Sequence, residues 1–174
     1  GEGAFGMCTK LRSVTIPSKI KVIEKSTFGD CYNLNTVILP EGLERIESFA
    51  FLGTSVTSID IPDSVTYIAM DAFYATGIEN NKKYNDSGVF YLNKILMSSD
   101  FRAVPSTYRI KPGTTYINKC AFTNCHELVS LTIPKSVKTI DTNAFDGCEN
   151  LTMLFYEGTL EEFNAIDITN NDQY

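Results

Sequence analysis

Apolar positions along the chain recur on a long, fixed beat rather than on the period of one helix or strand. Ala-Phe dipeptides, or near matches, fall at Ala4-Phe5, Thr27-Phe28, Ala50-Phe51, Ala72-Phe73, Ala121-Phe122 and Ala144-Phe145. The intervals between the phenylalanines are 23, 23, 22, 49 and 23 residues, and the long one equals two copies of 23 plus three extra residues. Prolines keep the same beat at Pro17, Pro40, Pro62 and Pro134, as do Ile23, Ile46, Ile68, Ile117 and Ile140. Three residue types sharing one period mark an internal repeat, with an irregular pair of units hidden between Phe73 and Phe122.

One unit reads A-F-x-x-C-x-x-L-x-x-V-x-I-P-x-x-V-x-x-I-x-x-x, most clearly at 121–143 and 27–49. The stretch L-x-x-V-x-I alternates inward and outward as a half-buried strand does. Proline ends it by withholding a backbone donor. The stretch V-x-x-I supplies two further inward residues on an opposite wall, and A-F-x-x-C turns the corner. A unit of this kind buries its apolar side only against neighbours, so the repeats stack as coils. The expected structural core comprises Phe5, Phe28, Phe51, Phe73, Phe122 and Phe145, with Cys8, Cys31, Cys125 and Cys148 packed at the corner.

The combination of period, Ala-Phe, Cys, Pro and two apolar stretches resembles the BspA-type leucine-rich repeat, over roughly residues 4–158. That resemblance implies a mainly β fold with short 3-10 and turn segments: a right-handed solenoid of about seven coils, with a parallel sheet on one wall. It also implies a binding or adhesion module of a bacterial cell-surface or secreted protein, contacting an unknown protein or glycan without a cofactor. The alternatives are a structural stalk or spacer that presents another domain, and a carbohydrate-processing accessory domain. The whole chain, 1–174, reads as one solenoid domain and as a fragment of a longer protein.

Regular coils are expected over 4–71 and 108–153, with an irregular coil at 72–107 and a cap at 154–174. The coil at 50–71 is one residue short, and Thr54 and Thr76 stand where cysteine is expected. The run 89–99 places apolar residues on both sides of Asn93-Lys94 and reads as a β-hairpin. The segment 154–168 resembles the terminal Y-x-G-T-x-x-x-[WF] segment of such proteins and should close the last coil.

Charge narrows the partner classes. Fifteen basic and 21 acidic residues give a net of −6, with no basic cluster to displace counterions from nucleic acid. No window is long and apolar enough to insert in a membrane. The repeat accounts for four of the five cysteines as small buried side chains, with a disulfide framework as the rival reading. Cys120, Cys125 and His126 lack the paired spacing of a zinc site. The single histidine has no nucleophile context around it, so no catalytic residue is assigned.

Outward positions remain. The third place of the strand motif reads Ser13, Thr36, Ser58, Thr107, Ser130 and Met153, a row of hydroxyls that ordinary sheet propensity also explains. The candidate ligand face mixes Arg12, Thr15, Asn35, Ile38, Asp60, Arg109, Thr132 and Phe155, in rows about 4.8 Å apart. The hairpin offers a second candidate contact through Tyr91 and Asn93, unless its apolar residues all turn into the core.

Overall fold

The computed structural model describes residues 1–169, which divide into two compact units, Gly1–Asn85 and the part from Asp86 onward. In the first unit Ser13–Thr15 and Thr36–Ile38 pair in parallel, residue 13 opposite 36 and 15 opposite 38. On the opposite wall Val22–Ile23, Arg45–Ile46 and Tyr67–Ile68 form a second parallel sheet. The expected parallel sheet on one wall is thus joined by a second: V-x-x-I also forms ladders, because coils one repeat apart bring its backbone into register. The missing residue of the coil at 50–71 shows as a step of 22 between Arg45 and Tyr67.

No strand forms at Ser58–Asp60. A side chain replaces the ladder there. The hydroxyl of Tyr84, at the end of the 3-10 segment Lys82–Tyr84, accepts from Ile59 N–H at 2.9 Å and donates to Ile59 C=O at 2.7 Å. Both backbone polar groups of the buried Ile59 are thus satisfied without a neighbouring strand.

In the second unit Thr107–Arg109, Ser130–Ile133 and Met153–Tyr156 make one parallel wall. Ile95–Ser99, Tyr116–Ile117, Thr139–Asp141 and Asp167–Thr169 make the other. Val89–Leu92 pairs antiparallel with Ile95–Ser99 across Asn93-Lys94. Strand Ile95–Ser99 occupies the V-x-x-I place of its coil, with Ile95 opposite Tyr116. Leu96 lies opposite Ile117, a step of 21 residues, so this coil is two residues shorter than the 23-residue unit.

The corners are built from backbone. In each regular coil two residues flanking the phenylalanine have positive φ: Ser26 and Asp30 around Phe28, Phe49 and Gly53 around Phe51, Asn143 and Gly147 around Phe145. With these dihedrals alternate N–H groups point along the stack. Ser26 donates to Ser48, Phe28 to Ala50 and Asp30 to Leu52, at 2.8–3.0 Å. The phenyl rings inside follow the same stacking: Phe5, Phe28, Phe51 and Phe73 lie 5.4, 5.5 and 5.1 Å apart and within 10° of parallel. Phe122 and Phe145 repeat this at 5.6 Å.

Two expected core residues are not buried. Phe5 stacks one face on Phe28 and is 51% exposed, and Cys8 is exposed. A ring in this ladder needs a neighbour on both faces, and among the described residues Phe5 has one. Phe145 and Cys148 are partly buried against the second core.

At the far end Thr159 caps the helix Leu160–Asn164 through a reciprocal bond with Glu162. Phe163 meets Tyr156 edge-on at 5.4 Å and Ile166 is buried. The expected cap at 154–174 extends beyond the described residues from 170 onward.

Candidate binding faces

Strand alternation sends Val14 and Val37 inward and leaves Thr15 opposite Ile38 on the exposed face, with Ile38 56% exposed. Arg12 and Asn35 are exposed just before these strands, and Asn35 accepts from Thr36 Oγ1 at 2.8 Å. Asp60 is exposed too, but bonds Lys83 at 3.0 Å.

In the second unit Arg109, Thr132 and Phe155 stand in one register row across three strands. Phe155 is 54% exposed and Met153, two residues earlier, is exposed beside it. Arg109 reaches Glu157 as an ion pair. Glu157 is a residue that strand periodicity did not single out, because it follows the strand. This pairing balances the only formal charges of the row, so the face presents a ring, a hydroxyl and hydrogen-bonding groups with little net charge.

The hairpin reading needs correction at Tyr91. It is 3% exposed, and Phe90, Leu92, Ile95 and Met97 are buried with it. A strand sunk in a wall has both faces covered, so alternation does not bring side chains to solvent. The Tyr91 hydroxyl lies 2.9 Å from that of Tyr108, and Lys111 Nζ sits 4.5 Å from the Tyr91 ring centre. Burial pushes the Tyr91 phenol up to about 12, and burial followed by the bond to Tyr91 raises that of Tyr108. Asn93 is exposed, at φ 53° in the turn.

The structure joins no two cysteines in a disulfide. Cys31 donates to the Phe5 carbonyl and Cys148 to that of Phe122, each at 3.0 Å and one coil back. Thr54 and Thr76 satisfy the same corner differently, donating to Phe51 and Phe73 of their own coils. Burial raises the thiols of Cys31, Cys125 and Cys148, which opposes thiolate chemistry at neutral pH. Among the described residues no three His, Cys, Asp or Glu side chains are placed to hold a metal, and no helix is long and apolar enough to cross a membrane.

No curated protein matches the chain. Similar solved structures include a leucine-rich cell surface protein of Faecalibacterium prausnitzii, 23% identical over 95% of this chain and 65% of that one, TM-score 0.46. A leucine-rich repeat protein of T. pallidum is 28% identical over 90% and 62%, TM-score 0.46. One from Bacteroides ovatus is 20% identical over 100% and 61%, also at 0.46. The chain spans less than two thirds of the length of each. The model of the BspA type leucine-rich repeat region matches residues 1–101 and 99–168 in six copies, against the seven or so coils expected. The chain belongs to the BspA-type leucine-rich repeat family.

Proposed function

We propose that this chain is a non-enzymatic binding module of a bacterial cell-surface or secreted protein, engaging a protein or glycan through its exposed sheet faces. The observation that carries this reading is the row Arg109–Thr132–Phe155, where an exposed ring, a hydroxyl and an ion pair sit on a rigid three-stranded wall. Thr15 and Ile38 offer a similar pairing of hydroxyl and apolar surface in the first unit. Surfaces of this kind contribute small contacts that become useful when summed over several coils. Raised thiols, a single exposed histidine and the family membership all support binding over catalysis.

The test is binding of the immobilised chain to arrays of extracellular-matrix proteins and glycans, alongside Phe155→Ala and Ile38→Asp. Binding that falls by about tenfold or more in a variant, with its melting temperature unmoved, supports the face as the site. Absence of binding across both arrays favours the spacer.

A further inference from the structure

Two exposed tyrosines stand on one corner of the first unit, in places that the repeat does not reserve for a ring. Tyr32 follows the corner cysteine, where other coils carry Thr9, Ser55 or His126. Tyr74 follows the ladder phenylalanine, where others carry Gly29, Leu52 or Asp146. They are 55% and 63% exposed, so packing of the core accounts for neither. Both adjoin Gly53, which belongs to the coil between theirs. Tyr32 reaches over it, with Cε1 3.5 Å from the point that a Cβ at residue 53 would occupy, and Asp30 Oδ1 lies 3.1 Å from the same point. On the other side Gly53 N–H donates to the Tyr74 carbonyl at 2.9 Å. The missing side chain at Gly53 therefore leaves a ring and a carboxylate side by side. The charge of Asp30 is the main cause that holds the Tyr32 phenol above its usual value. The backbone beneath is fixed across coils: Ser55 Oγ donates to the Tyr32 carbonyl at 2.5 Å, and Asp30 N–H to that of Leu52 at 2.8 Å.

We propose that this corner binds a neutral oligosaccharide, with Tyr32 and Tyr74 each against a sugar ring and Asp30 accepting from its hydroxyls. A phenol ring offers a negative face to the C–H side of a pyranose. A carboxylate beside it takes hydroxyl protons in charge-assisted bonds and repels sugars that carry acid groups. The tyrosines sit two coils apart, about 10 Å along the stack, so a ligand touching both holds more than one sugar ring. The site rests on the reading of the chain as a binding module, but it uses a surface apart from the sheet faces.

Affinity electrophoresis of the chain through gels containing laminarin, mannan, xylan or polygalacturonate tests this, since the first three are neutral and the last is acidic. At least one neutral polysaccharide should retard the chain, and polygalacturonate should not. Tyr32→Leu and Tyr74→Leu keep apolar bulk without a ring, and each should weaken retardation about tenfold or more with the melting temperature unmoved. Tyr74→Phe should retain it, and so should Phe155→Ala on the sheet face. Free migration in all three neutral gels overturns the proposal. So does retardation that survives both leucine changes, or that polygalacturonate produces equally. Retardation lost in Phe155→Ala and kept in both leucine variants removes this site while the binding-module reading stands.

Discussion

Tyr91 and Tyr108 meet hydroxyl to hydroxyl at 2.9 Å inside the core of the second unit. Tyr108 takes the inward strand place opposite Leu131, and its ring lies 6.0 Å from Phe122, tilted by 56°. The two phenols satisfy each other's polar ends, with Asp86 3.5 Å from Tyr108 and Lys111 N–H 3.4 Å from Tyr91.

That pair predicts alkaline sensitivity. Both phenols are held protonated in the folded chain, Tyr91 to about 12, while an unfolded tyrosine ionises near 10. Between these values the unfolded state has released a proton that the folded state retains, so stability falls as pH rises. Denaturant melts from pH 8 to 11.5 should show full stability up to about pH 9.5 and a decline above it. Tyr91→Phe should flatten the decline and cost about 1–3 kcal/mol at pH 7, since Tyr108 loses its partner. A decline as steep in Tyr91→Phe would assign the effect to other groups.

The phenyl ladder predicts graded costs along the first unit. Phe28, with a ring on each face, should lose about 3–5 kcal/mol on change to Ala. Phe5→Ala removes a half-exposed ring and should cost about half as much or less. Thr15→Ala, on the outer face, should stay within about 0.5 kcal/mol. Urea denaturation of the three variants checks the order, and equal losses at Phe5 and Phe28 would contradict it.

Much of this fold was legible in the sequence because the repeat copies one physical solution many times. Phe28, Phe51 and Phe122 could be placed inside from spacing alone, and strand alternation put Thr15, Ile38 and Phe155 outside. What spacing misses is substitution by an unlike group. Tyr84 closes the backbone of Ile59 from outside the motif, and Tyr108 puts a phenol at the inward strand place opposite Leu131, where the motif has an aliphatic side chain. Tyr91 was misplaced for a related reason: alternation assumes one wet face, and the hairpin strand has none. Ring exposure at Phe5 depends on stacking neighbours, which a periodic pattern treats as always present.

Thiol accessibility should divide the five cysteines. Cys31 and Cys125 are buried with raised thiols, and Cys8 is exposed. A thiol reagent at pH 7.5 should modify Cys8 first and leave Cys31 and Cys125 largely unreacted in the folded protein. Denaturation without reductant should expose all five. Three or fewer would mean a disulfide, contrary to the hydrogen-bonded thiols of the corners.

The corner backbone yields a prediction of opposite signs at two equivalent positions. Ala75 and Gly147 both follow a ladder phenylalanine by two residues, with φ of 57° and 70°. Glycine adopts this region freely, whereas a Cβ there costs about 1–2 kcal/mol. Ala75 is exposed, so Ala75→Gly relieves the backbone without opening a cavity, offset by about 0.5–1 kcal/mol of added unfolded-state entropy. The net expectation is a gain of up to about 1 kcal/mol. Gly147→Ala imposes the same backbone cost and presses its new methyl against Asn124 Oδ1 and, at 3.3 Å, the Asn124 nitrogen. A loss of about 1–3 kcal/mol follows. Thermal melts of both variants measure the pair, and a loss at Ala75→Gly would show that this corner does not store backbone strain.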